Sequence, residues 1–155
     1  MVAFIWNLAL LAVAVPALAI PAPTETPDLS KRTIIDGRTA DCLGVQFFQQ
    51  AAVVAAGQAA VNHVRAKTTV GTNKYPHVFR NKPENFVFQA GCNPPYWEFP
   101  IMPNGAIFAG RNNNQPGTER VVIGSISSTS NDAHLCGVMT HIGATGNGFK
   151  ECILT

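Results

Sequence analysis

Residues 47–67, "FFQQAAVVAAGQAAVNHVRAK", form the one stretch that reads as a long helix, and the fold turns on it. The stretch is rich in alanine and other good helix formers. Phe47, Ala51, Val54, Val61 and Val64 recur near helical spacing and predict one buried stripe. Gly57 weakens it. His63, Arg65 and Lys67 fall near its C-terminal end, where cations complement the helix dipole, and His63 reads there as a solvated cation. After "TTVGTN" (68–73) the period drops to two. Strands are expected at "YPHVF" (75–79), "ENFVFQ" (84–89), "YWEFPI" (96–101), "AIFAG" (106–110), "ERVVIGSI" (119–126) and "LCGVMTHI" (135–142). Clusters of Gly, Pro and Asn separate them, and "GRNNNQPG" (110–117) reads as a polar loop. One helix followed by closely spaced strands predicts an α+β domain, with the helix packed on a curved antiparallel β-sheet.

Upstream of the helix, "MVAFIWNLALLAVAVPALA" (1–19) is apolar and ends in the small-x-small triplet Ala17-Leu18-Ala19. It reads as a secretory signal peptide. The alternative, a membrane anchor of about 17–25 apolar residues, sits poorly with Pro16 and the cleavage triplet. Residues 20–32, "IPAPTETPDLSKR", are too polar and proline-rich to bury a core. They end in Lys31-Arg32 and read as a pro-segment trimmed after Arg32, or as a flexible arm that stays attached. The folded domain is then residues 33–155.

Eleven Lys and Arg against nine Asp and Glu give a net charge of +2. Trimming removes Lys31, Arg32, Glu25 and Asp28, so the balance is unchanged. That charge is too weak for a nonspecific polyanion binder, so an anionic partner must be gripped locally. Cys42, Cys92, Cys136 and Cys152 imply two disulfides in a secreted chain, with three pairings open. No Cys-x-x-Cys and no clustered His pair is present, so neither zinc nor another cofactor is expected. There is no Asn-x-Ser/Thr acceptor for N-glycosylation.

Strand alternation sorts the polar side chains. In "YWEFPI", Trp97, Phe99 and Ile101 share the helix-facing side and Glu98 points away. Tyr75, His77 and Phe79 share a face. Arg120 lies opposite Val121 and Ile123, and His141 opposite Val138 and Ile142 in a regular strand. Tyr75, His77, Glu98, Arg120 and His141 together would suffice to cleave a phosphodiester with the substrate's own 2′-hydroxyl. A base takes the 2′-proton, an acid protonates the leaving 5′-oxygen, and cations and donors hold the phosphorane oxygens. DNA lacks the 2′-hydroxyl and would be spared. Taken singly, each residue is more often a surface, core or salt-bridged side chain than a functional one, and spacing alone does not show that the five converge.

"YPHVF", "YWEFPI", "PGTERVVI" and "GVMTHIGATGNGFKEC" resemble, in order and approximate spacing, the secreted fungal guanyl-specific ribonucleases, with the sarcin-type ribotoxins as a related branch. The resemblance spans roughly residues 42–152. It implies Glu98 as general base, His141 as general acid, and His77 as the imidazole that assists the base and the charged transition state. Arg120 and Tyr75 match phosphate contacts, and Phe149 the aromatic that lines the phosphate pocket. Cys92 before Glu98 and Cys136 before His141 resemble members that join those strands, which implies Cys92–Cys136 and Cys42–Cys152. The implied protein is a secreted monomer acting on single-stranded RNA through a 2′,3′-cyclic phosphate, with no membrane partner once mature.

The base-recognition segment departs from the family pattern. Phe79, Arg80, Asn81 and Glu84 are expected to meet the base: Phe79 by stacking, Asn81 and Glu84 with an amide and a carboxylate. Asn147 matches a later base-pocket position. One extra residue precedes Phe86, and Lys82 or Pro83 stands where an aromatic lid is the pattern. Guanine or purines are the expected bases. A non-catalytic binding module and a ribotoxin cutting one ribosomal loop are the alternatives. The retained Glu98, His77 and His141 speak against the first, and the short, weakly charged chain against the second.

Overall fold

A computed structural model describes residues 33–110, 115–129 and 132–155. The expected signal peptide, the pro-segment and part of the polar loop lie outside the described residues. The elements are β1 (Ile34–Ile35), β2 (Ala40–Cys42), β3 (Gln46–Phe48), α1 (Gln50–Ala66), β4 (His77–Phe79) and β5 (Tyr96–Pro100). β6 (Glu119–Gly124), β7 (Ala133–Thr140), β8 (Lys150–Glu151) and β9 (Ile153–Leu154) follow. The main sheet runs β1-β7-β6-β5-β4, with β8 also on β7. All its pairs are antiparallel except β1 with β7. A smaller sheet, β3-β2-β9, stands beside it. The α+β class with a helix on an antiparallel sheet is as expected.

The helix differs in phase from the sequence reading. Phe47 and Phe48 belong to β3, where they pair with Asp41 and Ala40, so α1 starts at Gln50. Its buried side is Val53, Ala56, Gly57, Ala60 and Val61, while Phe47 and Ala51 are exposed and Val54 and Val64 half-buried. Small residues let the helix settle close to the sheet. A Cβ on Gly57 would stand 3.4 Å from both Ile123 and Ile34, in van der Waals contact, so the glycine lies on the face packed against the sheet. His63 is half-buried rather than fully solvated: its Nδ1 lies 2.8 Å from Thr68 Oγ1, and its ring stacks 5.9 Å from Phe99.

Val53, Ala60 and Val61 pack with Phe99, Val121, Ile123, Leu135 and Val138 into the core under the helix. On the opposite face, Phe79, Val122, Cys136 and Met139 form a second cluster, with Phe86, Phe88 and Phe149 against it. A bulge between Val122 and Ile123 shifts the β6–β7 register, so Leu135 and Val138 both reach the helix side while Cys136 turns to the other. "ENFVFQ" forms no strand. Phe86 and Phe88 turn into the second cluster and Val87 outward, but the segment's hydrogen bonds run through Asn81 and Gln89 rather than along a ladder. "AIFAG" contributes a single bridge, Ile101 with Ile107. Disulfides join Cys42 to Cys152 and Cys92 to Cys136. The first spans 110 residues of chain. Closing that loop stabilises the fold by about 4–5 kcal/mol on the chain-entropy account.

Candidate active site

Glu98 sits mid-strand in β5 with Trp97 and Phe99 on its flanks facing the helix, so alternation turns its carboxylate to the other face. The register sets His77 of β4 directly opposite, and Nδ1 lies 3.1 Å from Glu98 Oε1. The other ring nitrogen, Nε2, faces the carbonyl of Asn73. A carbonyl only accepts, so Nε2 is the nitrogen that donates to it, and Nδ1 is the one that faces Glu98. Glu98 Oε2 is buried and has no hydrogen-bond partner among the described residues. Burial pushes the Glu98 carboxyl above its ordinary value. The hydrogen bond from His77 and the charges of Arg120, His77 and His141 pull it partly back.

Arg120 is only 3% exposed, and its guanidinium is held from several sides. Nε donates to the Tyr75 hydroxyl at 3.1 Å. Nη1 donates to the carbonyls of Pro116, Gly117 and Glu119 at 3.1, 3.0 and 2.8 Å. Nη2 has no protein partner among the described residues, which leaves it for an anion. Tyr75 precedes β4 and does not share its alternation. Its ring sinks beside Phe99 and Phe108 and stacks 4.2 Å from His77, while the hydroxyl, an acceptor from Arg120, keeps its own proton to donate.

His141 lies in the bend just past β7. Nδ1 donates to the Gly148 carbonyl at 2.8 Å, and the ring stacks 4.0 Å from Phe149. Nε2 is therefore the nitrogen free to hand on a proton. A buried carboxylate that the sequence reading missed steadies this bend. Glu119, 2% exposed, accepts from Thr118 Oγ1 at 2.7 Å and Thr140 Oγ1 at 3.2 Å. Thr140 Oγ1 in turn accepts the Ile142 N–H at 3.0 Å, and the Thr118 carbonyl accepts the His141 N–H at 2.9 Å. The signal was present: alternation sets Glu119 on the same side as Val121 and Ile123, where an acid needs built-in donors.

Beyond Phe149 opens a cleft of about 480 Å³, lined in part by Phe79, Arg80, Glu84, Asn147 and Phe149. Glu84 Oε2 is buried and unpartnered there. Asn81 plays a different part from the one expected. Its Nδ2 donates to the Phe86 carbonyl at 2.8 Å and its Oδ1 accepts the Phe86 N–H at 2.7 Å, so the amide braces the loop. A second cleft of about 400 Å³, between Phe48 and Pro103 at the start of α1, has no titratable side chain in its lining.

The structure thus gathers Tyr75, His77, Glu98, Arg120 and His141 around one place, with a base-sized cleft alongside. Comparison with known proteins places the chain in a family. A family model described as ribonuclease matches residues 36–153, and the chain belongs to that family. It is 43% identical over 114 residues to guanyl-specific ribonuclease Th1 of Trichoderma harzianum, covering 74% of this chain and 96% of the relative. It is 35% identical over 141 residues to guanyl-specific ribonuclease C2 of Aspergillus clavatus, covering 91% and 90%. It is 34% identical over 113 residues to extracellular guanyl-specific ribonuclease Fl1 of Gibberella baccata, covering 73% and 95%.

Proposed function

We propose that the protein is a secreted endoribonuclease that cuts single-stranded RNA on the 3′ side of guanosine, in two steps. Glu98 takes the 2′-proton at its unpartnered Oε2 as the 2′-oxygen bonds to phosphorus. The P–O5′ bond breaks and His141 Nε2 protonates the departing 5′-oxygen. Arg120 Nη2 and the Tyr75 hydroxyl face the phosphorane oxygens, and His77 holds Glu98 in place and adds positive character. Water then opens the 2′,3′-cyclic phosphate to a 3′-phosphate, with His141 as base and Glu98 as acid.

The observation that carries this reading is the convergence of Glu98, His77, Arg120, Tyr75 and His141 within one chain. One chain supplies every group, which suits a monomer. Phe149, stacked on His141, divides the phosphate site from the base cleft, and Phe79 and Asn147 line that cleft. Glu84 favours guanine: its bare carboxylate accepts from the N1–H and N2–H of guanine, whereas adenine presents no such pair of donors on that edge. Secretion is supported by the apolar stretch 1–19, the two disulfides and an extracellular relative. The test is digestion of a defined RNA in EDTA by wild type and by Glu98→Gln. Wild type should cut and the variant lose about 10²–10⁴-fold in kcat. Equal rates for the two would refute the assignment of Glu98.

A further inference from the structure

We infer that Arg80 and Lys82 form a subsite for the phosphate on the 5′ side of the bound guanosine, beyond the base pocket itself. The inference rests on the ribonuclease reading above and extends it. Both residues line the base cleft and both are exposed. Neither side chain has a hydrogen bond or ion pair to any described residue. They flank Asn81, whose side chain is locked on Phe86, so the loop that presents them is braced. The one carboxylate in the lining is Glu84, whose buried Oε2 asks for a hydrogen-bond donor.

A guanine satisfies Glu84 but leaves two cations at the rim unanswered, because the base is neutral. The anionic groups of RNA are its phosphates. The scissile phosphate already has Arg120, Tyr75, His77 and His141. Arg80 lies three residues past His77, so about 10 Å further along the chain at strand rise. That is too far to serve the reacting phosphorus. It suits the next phosphate upstream, which the flexible stems of Arg80 and Lys82 extend to meet. The aromatic side chains in the cleft lining, Phe79 and Phe149, leave the Lys82–Pro83 side without a ring. On that side a charge contact takes the place of stacking.

The experiment compares kcat/KM at low salt for GpC, pGpC, ApGpC and ApGpC with an uncharged methylphosphonate in its ApG linkage. Wild type should favour pGpC and ApGpC over GpC by about five- to tenfold, as two exposed charge contacts allow. The methylphosphonate should lose that advantage. The advantage should shrink as salt rises, since exposed charge contacts are screened. Lys82→Gln, and more so Lys82→Glu, should bring the pGpC-to-GpC ratio towards one, while Arg38→Gln, outside the cleft, should not. A wild-type ratio of one overturns the subsite, as does a ratio that Lys82 variants leave intact. An Arg80→Gln variant that loses GpC and pGpC equally would assign Arg80 to guanine O6 and N7 instead, and also overturns it. If no substrate is cut at all, the ribonuclease reading itself fails, an outcome distinct from each of these.

Discussion

Arg120 makes three hydrogen bonds to backbone carbonyls and one to Tyr75, whereas the side chain of Arg80, in the neighbouring cleft, makes none to the described residues. Glu98 keeps one oxygen on His77, while Glu84 keeps its buried Oε2 on nothing. The strip on β4, β5 and β6 proposed for catalysis is held by ladder register and buried donors, which fix each group. The cleft proposed for the base is built from loops around residues 79–84 and 145–149. On the proposed roles, chemistry lies on the scaffold and choice of substrate in the loops beside it.

The comparison is broken most forcefully at the strip. His141→Gln should lower kcat by about 10²–10⁴-fold with little change in KM, since it removes the proton donor rather than a binding contact. A loss confined to KM would place His141 in binding alone. In the cleft, Glu84→Gln should cost about 1–3 kcal/mol of discrimination, read as a fall in the GpC-to-ApC ratio of kcat/KM. Unchanged discrimination would remove Glu84 from the base site.

Smaller effects sharpen the account of how the strip is held. Thr140→Val leaves the Ile142 N–H and Glu119 short of a partner and should destabilise the fold by about 1–3 kcal/mol. It should also lower kcat through the loosened His141 bend, and Thr140→Ser should restore both. Recovery of stability without kcat would separate Glu119 from catalysis. The pH dependence of stability supplies the smallest effect. The folded pKa of Glu98 lies above its unfolded value of 4.5, so the native state binds that proton more tightly. Its contribution to stability therefore falls as pH rises from 4.5 through the folded value, and stays low above it. Glu98→Gln escapes that loss. The variant should be at least as stable as wild type at pH 7, with the difference shrinking towards pH 4.5, as thermal unfolding at several pH values would show. The same raised value places the acid limb of wild-type kcat/KM above the usual carboxylate range.

Much of the strip was legible in the sequence because one rule governs it. In "YWEFPI" the apolar residues occupy one face, so Glu98 has to occupy the other, and Arg120 follows likewise from Val121 and Ile123. The cleft obeys no such rule. Asn81 looked like a base contact, but its left-handed backbone, at φ 53°, and its amide serve to close the loop on Phe86. "ENFVFQ" alternates like a strand because Phe86 and Phe88 fill a core. Its backbone partners, though, come from single side chains and turns that periodicity does not carry. The helix phase was misjudged for a related reason: Phe47 and Phe48 look like helix anchors, yet they are claimed by pairing with β2. Tyr75 departed from alternation because it lies ahead of β4, where packing against Phe108 decides its direction.

The most direct measurement is the identity of the ends left on a defined single-stranded RNA. Early products should end in guanosine 2′,3′-cyclic phosphate and later ones in guanosine 3′-phosphate, with 5′-hydroxyl partners, by mass spectrometry. Products with 5′-phosphate and 3′-hydroxyl ends, or cuts without regard to guanosine, would contradict the roles given to Glu98, His141 and Glu84.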